Sequence, residues 1–114
     1  MVGIYVPEAG DIAWIDFDPQ RGREHRKRRP ALVLTDIRYN RASGLCVVCP
    51  ITSVRKGYPF EIATVIDKVE GAVLADQVKS LDWAARQAEF HSKAPAELFK
   101  RVRTYIAVLL GIRP

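Results

Sequence analysis

The sequence predicts a mainly β (α+β) domain, a small, strongly bent antiparallel barrel with a C-terminal α-helix. Three observations predict it. Apolar and polar residues alternate in several short runs bounded by turn-forming residues, which is typical of strands. No segment between the runs is long enough for the helical crossovers that parallel strands require. One stretch near the C-terminus repeats its apolar residues at helical spacing.

The first half of the chain alternates between short apolar runs and polar connections. Pro7 to Gly10 forms a turn ahead of them. The predicted elements are a strand over 11–18, a loop over 19–30, a strand over 31–35, a turn-like segment over 36–44 with one helical turn around 39–41, a strand over 45–51 ended by Pro50, and a polar loop over 53–59. The loop over 19–30 is long for a connection in a compact domain, and such loops often carry function.

The second half predicts further short strands and then a helix. The strands span 60–66, 69–76, 77–81 and 86–91. Pro95 starts the helix, where its missing N–H does no harm. Apolar residues then recur at helical spacing and predict one face packed on the sheet: Leu98, Val102, Tyr105, Ile106 and Leu109.

Length and composition indicate one ordinary globular domain over residues 1–114, with 48% hydrophobic and 27% charged residues. The net charge of +5 favours a polyanionic partner, nucleic acid first and acidic protein second, although many small proteins are basic without binding either. No apolar run approaches the ~20 residues of a membrane span, and the N-terminus lacks a signal pattern. We therefore expect a cytoplasmic protein with no membrane partner.

Two cysteines, Cys46 and Cys49, form a C-x-x-C pattern that invites a metal or redox interpretation. Both lie in a predicted strand, where residues three apart point to opposite faces. A structural zinc site normally needs four close ligands, and the sequence has no second cysteine pair. We expect two buried or half-buried thiols and no metal.

The stretch Gly22 to Pro30 places one carboxylate, one imidazole and five cationic side chains in nine residues, between two apolar runs. Such a charged loop is either a solvated connector or a site for an anion. Cations can hold and neutralise a phosphate, and a carboxylate or imidazole beside them can move a proton. The stretch therefore suggests chemistry as well as binding.

Blocks distributed along nearly the whole chain resemble the MazF/PemK (Kid) family of toxins from bacterial type II toxin–antitoxin systems. The order and spacing of the blocks carry the resemblance, because any single block is common. They are Tyr5-Val6-Pro7, Gly10-Asp11, Trp14, Asp16-Phe17-Asp18-Pro19, Gly22-Arg23-Glu24, Arg29-Pro30-Ala31-Leu32-Val33-Leu34, Tyr39-Asn40, Pro50-Ile51-Thr52, Lys56-Gly57-Tyr58-Pro59-Phe60-Glu61 and Ala75-Asp76-Gln77-Val78-Lys79-Ser80.

The resemblance implies an SH3-like barrel, a homodimer, and sequence-selective cleavage of single-stranded RNA without a metal or other cofactor. It also implies a cognate antitoxin whose acidic tail lies across the RNA groove. The family's catalytic pair falls on Glu24 and Arg29, with Thr52 as a supporting hydroxyl. The segment between Glu24 and Arg29 is more basic than is usual in the family.

Metal-free RNA cleavage requires a base for the 2′-hydroxyl, an acid for the leaving 5′-oxygen, and a positive charge that stabilises the negatively charged phosphorane. Glu24 is the best base, although nearby cations lower the pKa of a carboxylate and weaken it. Arg29 suits charge stabilisation, because its planar fork can make two hydrogen bonds to phosphate oxygens. Thr52 either donates to the phosphate or serves as a turn hydroxyl. His25 is either the acid or a solvated loop residue.

Further basic and aromatic residues can follow the RNA backbone and stack on a base, or can belong to solvated loops. The RNA-binding candidates are His25, Arg26, Lys27, Arg28, Arg55, Lys56, Tyr58, Lys79 and Arg86. His91 is expected to be structural or exposed. Trp14 and Trp83 are expected in the core or an interface.

Two other functions compete with an RNA-cleaving toxin. CcdB toxins resemble the same fold and poison DNA gyrase without nuclease chemistry. A non-catalytic RNA-binding barrel needs only a basic loop. The Glu24, Arg29 and Thr52 constellation favours the ribonuclease, since a gyrase binder has no use for it.

Overall fold

The structure, a computed structural model, describes residues 4–17 and 28–113. Their seven strands and two helices confirm the mainly β class with a C-terminal helix. The elements are β1 (Asp11–Asp16), β2 (Arg28–Val33), α1 (Ile37–Ser43), β3 (Leu45–Thr52), β4 (Glu61–Ile66), β5 (Val69–Leu74), β6 (Lys79–Asp82), β7 (Glu89–Lys93) and α2 (Ala96–Leu110). In these ranges, no helix has the length and apolar character that crossing a membrane requires.

All strand pairs are antiparallel, in the order β4-β5-β3-β2-β1-β7, and β6 pairs separately with β3. The sheet curls into a half-barrel because β3 changes partners along its length. Residues 45–48 of β3 pair with β6, and residues 51–52 pair with β5. Pro50 falls between these two segments, so β3 continues through the proline at which the sequence predicts its end.

β2 begins earlier than the sequence predicts. Arg28 is paired with Asp16 and Arg29 with Ile15, so the last three residues of the predicted loop over 19–30 are strand. Arg29 therefore sits in a sheet ladder rather than on a loop. Cross-strand pairing fixes its backbone more firmly than a surface connection does.

The sheet separates two hydrophobic cores. The helix-side core lies under α2 and contains Ile12, Leu32, Cys49, Ile51, Ile62, Val73, Ala75, Leu98 and Val102. The outer core contains Ala13, Ile15, Ala31, Val33, Cys46, Val48, Leu81 and Trp83. Cys46 and Cys49 thus occupy opposite faces of β3 and both are buried, which confirms the prediction from their spacing.

α1 is longer than the single helical turn that the sequence predicts. Asp36 caps it by accepting a hydrogen bond from the Arg38 N–H at 2.7 Å, and Gly44 ends it in the left-handed conformation. The fully buried Asn40 side chain donates to the carbonyl oxygens of Pro7 and Thr35. These bonds fasten the N-terminal segment to the body of the sheet.

The last strands and the helix are shifted from their predicted bounds. Residues 83–88 form a turn between β6 and β7, in which Gln87 has a φ of 54°. β7 therefore begins at Glu89 instead of residue 86. Pro95 occupies the position before the first helical residue of α2, and Leu98 and Val102 bury one face of that helix in the helix-side core.

Candidate active site

A cavity of about 440 Å³ lies at the mouth of the curled sheet. Trp14 and residues 28–30 form its first wall, and the end of β3 over 51–54 forms the second. The β4–β5 hairpin forms the third through Ile66, Asp67 and residues 69–71. Its volume falls within the range of roughly 300–1,000 Å³ that is common for small-ligand sites.

Arg29 and Thr52, which are 23 positions apart, both line this cavity. The register of β2 and β3 explains why. Ala31 is paired with Pro50, and continuing that antiparallel register by two residues sets Arg29 opposite Thr52. Side chains at such positions project from the same face of a sheet. An arginine and a threonine thus line one cavity at this end of the sheet.

Glu24, the predicted base, lies outside the described residues, as do His25, Arg26 and Lys27. The predictions for these four residues stay predictions.

The hydroxyl of Thr52 is oriented by the turn that follows β3. The backbone N–H of Val54 donates to Thr52 Oγ1 at 3.0 Å, whereas the hydroxyl lies 3.4 Å from the Val54 carbonyl oxygen. The oxygen therefore accepts a good hydrogen bond, and its proton has only a long partner within the described residues. That geometry gives Thr52 the turn-hydroxyl role anticipated for it, and its donation to a phosphate stays a prediction.

Arg28 also lines the cavity, but its guanidinium already has partners on β7 and the turn before it. It donates to the carbonyl oxygen of Gln87 at 3.2 Å and to the carboxylate of Glu89 at 3.0 Å. The side chain is 23% exposed. These contacts fix the start of β2, and they compete with any contact between Arg28 and RNA.

Arg86 and Lys79, two more RNA-binding candidates, lie beside Phe17 at the end of β1. Arg86 donates to the carbonyl oxygens of Asp16 at 3.2 Å and of Phe17 at 3.0 Å. The Lys79 ammonium lies 5.4 Å from the centre of the Phe17 ring, a cation–π distance. In the structure Arg86 anchors the chain where it leaves β1, and Lys79 covers the aromatic ring.

The remaining candidates, Arg55, Lys56 and Tyr58, are exposed on the loop between β3 and β4. The Glu61 carboxylate accepts hydrogen bonds from the backbone N–H groups of Lys56 and Gly57 at 3.0–3.1 Å and orders this loop. The loop continues from the β3 end that carries Thr52. Their role in RNA binding stays a prediction.

The two tryptophans have different surroundings. Trp83 is in the outer core and donates its indole N–H to the carbonyl oxygen of Asn40 at 2.9 Å, which confirms the core prediction. Trp14 is half-buried and lines the cavity. Its ring packs edge-on against His91 with centroids 5.7 Å apart, so His91 is a structural residue near the site.

The third wall of the cavity was missed by sequence reasoning. Asp67, Glu70 and Gly71 all line the cavity, and none of them is among the predicted site residues. One signal was present, since the predicted strands over 60–66 and 69–76 are separated by two residues, which is hairpin spacing. The cavity thus has cations, Arg28 and Arg29, on one wall and carboxylates on the hairpin wall.

The cysteine thiols lie apart from this chemistry. Burial raises the pKa of both Cys46 and Cys49 to about 12, so neither is a thiolate near neutral pH. Within the ranges 4–17 and 28–113, no group of three or more metal-ligating side chains is assembled. The described part of the cavity offers two arginines, the hydroxyls of Thr52 and Ser53, and backbone groups as its polar chemistry beside the hairpin carboxylates.

The described residues form a small curled antiparallel sheet, and the cavity at its mouth has the cations Arg28 and Arg29 on one wall. A family model described as the PemK-like, MazF-like toxin of type II toxin–antitoxin systems matches residues 8–110, and the chain belongs to this family. The chain is 43% identical over 111 residues to the endoribonuclease toxin MazF of Escherichia coli K12, covering 97% of this chain and all of that protein. It is also similar to the endoribonuclease PemK of Escherichia coli, at 29% identity over 108 residues, 90% of this chain and 81% of PemK.

Solved structures agree with the family assignment. The MazF of Deinococcus radiodurans superposes with a TM-score of 0.84 at 48% identity, over 96% of this chain and 100% of that chain. In a MazE–MazF complex from the same organism, the matching chain gives a TM-score of 0.83 at 44% identity, again over 96% and 100% of the two chains. The resemblance deduced from the sequence blocks is confirmed.

Proposed function

We propose that this protein is an endoribonuclease toxin that cleaves single-stranded RNA, messenger RNA included, and thereby stops translation and growth. One observation carries the proposal: Arg29 and Thr52 share a cavity at the mouth of the sheet, in a chain 43% identical to a protein named as an endoribonuclease toxin. Arginine and a hydroxyl donor suit an RNA phosphate, and the net charge of +5 suits its polyanionic backbone.

The reaction is an attack of the RNA's own 2′-hydroxyl on the adjacent phosphorus. Glu24 removes the hydroxyl proton, the bond between O2′ and phosphorus forms, and the bond between phosphorus and O5′ breaks. The departing 5′-oxygen takes up a proton, for which His25 is the candidate donor. The products are a 2′,3′-cyclic phosphate and a 5′-hydroxyl, and no metal or cofactor takes part.

Arg29 and Thr52 stabilise the charge that builds on the phosphorane oxygens. Arg29 lies on a strand paired with β1, so the backbone that carries its guanidinium is set before RNA binds. Preorganised donors of this kind need little rearrangement during the reaction, and losing one costs on the order of a hundredfold in rate. Thr52 supplies a neutral donor, since its oxygen already accepts from the Val54 N–H.

The RNA strand runs from the cavity along basic residues on either side of it. Arg26 and Lys27 on the preceding segment and Arg55, Lys56 and Tyr58 on the β3–β4 loop contact its backbone and bases. Sequence selectivity arises from the base contacts. Lys79, Arg86 and Arg28 support the site mainly through the protein contacts that each already makes.

A cognate antitoxin is the expected protein partner. The matching MazF of Deinococcus radiodurans has been solved together with MazE, and the basic surface here suits an acidic, partly disordered tail. The toxin acts as a homodimer in the cytoplasm, where its messenger RNA substrate is found.

The test is cleavage of a mixed-sequence RNA by the purified protein in EDTA, with the new ends mapped. We expect discrete cuts with 5′-hydroxyl ends, which Glu24→Gln abolishes and Thr52→Val slows. Glu97→Gln, an exposed change at the start of α2, is the matched control and keeps full activity. Intact RNA under all conditions contradicts the proposal, and gyrase-dependent DNA breaks would favour a CcdB-like poison instead.

A further inference from the structure

One side-chain hydrogen bond joins the two ends of the curled sheet across the cavity mouth. β4 and β7 are the terminal strands of the order β4-β5-β3-β2-β1-β7. Asp67 at the tip of the β4–β5 hairpin nevertheless reaches β7, because its Oδ2 lies 2.9 Å from Nε2 of His91. Asp67 belongs to the hairpin wall of the cavity, whereas His91 packs on Trp14 of the first wall.

The histidine side of this pair is held from several directions. His91 Nδ1 lies 2.7 Å from the Ser92 hydroxyl oxygen, and the ring is packed edge-on against Trp14. The side chain is 16% exposed. When Nε2 carries a proton and donates to Asp67, Nδ1 of the neutral ring accepts from the Ser92 hydroxyl, so both nitrogens are satisfied. The imidazole is a fixed point on β7.

The aspartate side is held by its turn. Asp67 and Lys68 have φ values of 51° and 65°, the left-handed pair that a two-residue hairpin turn needs. Aspartate tolerates this conformation better than most residues other than glycine. The turn therefore sets the backbone of Asp67 at the hairpin tip, and the contact between its carboxylate and His91 joins the tip to β7.

We propose that Asp67 and His91 are positioning residues that hold the β4–β5 hairpin across the mouth and so set the width of the opening that receives the RNA strand. This inference rests on the proposed cleavage of RNA in the same cavity. Arg29 and Thr52 are placed by strand pairing and do not depend on the hydrogen bond between Asp67 and His91. Loss of the pair therefore weakens RNA binding and leaves the chemical step unchanged.

The test is a double-mutant cycle that keeps the local structure on each side. Asp67→Gly removes the carboxylate and suits the positive φ, and His91→Phe keeps a ring against Trp14 without its nitrogens. Each is expected to raise KM for a short RNA about fivefold, with kcat within about twofold, and the double variant should match either single one. Additive effects, an unchanged KM, or a loss confined to kcat overturns the proposal.

Two controls separate pairing from charge and from turn strain. Glu97→Gln removes an exposed carboxylate at the start of α2, outside the cavity lining, and Lys68→Gly changes the neighbouring turn position. Both are expected to leave KM within about twofold of the unmodified protein, since each single charge contributes only modestly to a screened surface. A fivefold rise in either control shows that charge or turn geometry is responsible, and the proposal fails.

Binding of an uncleavable 2′-deoxy strand to the same variants distinguishes this inference from the proposed function. A protein that binds the strand but cleaves no RNA refutes the ribonuclease, and the fivefold change in Kd still decides the role of the pair. A protein that binds no strand refutes both. Thermal unfolding of every variant is measured first, so that KM and Kd are compared among folded proteins.

Discussion

Replacing Gly71 with alanine is expected to slow RNA cleavage about a hundredfold, because the added methyl group has no room beside Thr52. A Cβ atom built on Gly71 lies 2.2 Å from the carbonyl oxygen of Thr52 and 3.2 Å from its carbonyl carbon. Ordinary contact begins near 3.4 Å, so the two backbones must separate by roughly 1.2 Å. Both of these Thr52 atoms belong to the backbone, which cannot move aside as a flexible side chain can.

That displacement moves Thr52, the residue that we propose contacts the scissile phosphate. Thr52 is paired with Ala72, next to Gly71 on β5, so separating the strands moves Thr52 itself. Misplacing a catalytic group by about 1 Å can cost about 10²-fold in rate. Overpacking a strand contact of this kind also costs roughly 1–3 kcal/mol of folding free energy.

The assay is single-turnover cleavage of a short RNA by Gly71→Ala, with the free energy of unfolding measured in urea. Ala63→Val is the control, because it enlarges an exposed residue on the neighbouring strand β4. Rates are compared at a temperature at which both variants are folded by circular dichroism. Wild-type cleavage by a folded Gly71→Ala would refute the claim that this close approach positions Thr52.

The remaining predictions concern charge and buried groups. Arg29→Ala should lower kcat for RNA cleavage about a hundredfold, and Arg29→Lys should recover only part of the loss, because lysine lacks the planar fork of two donors. A lysine variant as fast as the unmodified protein would contradict this. Burial and the hydrogen bond to Asp11 raise the pKa of Tyr5, so the free energy of unfolding should fall as the pH rises above 10. In urea titrations, Tyr5→Phe should show a smaller fall over the same pH range. An identical fall in the variant would argue against a contribution from Tyr5. Cys46 and Cys49 are fully buried and should react with a thiol reagent at pH 8 only after unfolding, so rapid labelling of the native protein would be inconsistent with the structure.

Periodicity in the sequence predicts most of the fold because its strands follow local patterns. The alternation in β4 and the helical spacing in α2 up to Ile106 both reflect one buried face, whereas Leu109, predicted on the same face, is exposed. The opposite faces of Cys46 and Cys49 follow from the two-residue period of a strand, and their separate cores confirm it. These features depend on neighbouring residues alone.

Other features depend on pairing between distant segments and carry no local signal. Arg28 and Arg29 are strand residues because their backbones pair with β1, although a run of cations before Pro30 is typical of a loop. Similarly, the curl of the sheet brings Asp67 to His91, which are 24 positions apart. The resemblance predicts Arg29 and Thr52 as site residues, but only the strand register explains why both line one cavity.

The most direct measurement of the central claim uses an RNA with a single 2′-deoxy nucleotide immediately 5′ to a mapped cleavage position. The account requires that nucleotide's 2′-hydroxyl as the nucleophile, at the phosphate held by Arg29 and Thr52. It predicts that cleavage at this position disappears, while cleavage at an unmodified second site in the same strand continues at the normal rate. Continued cleavage at the deoxy position, with the same ends, would contradict the account.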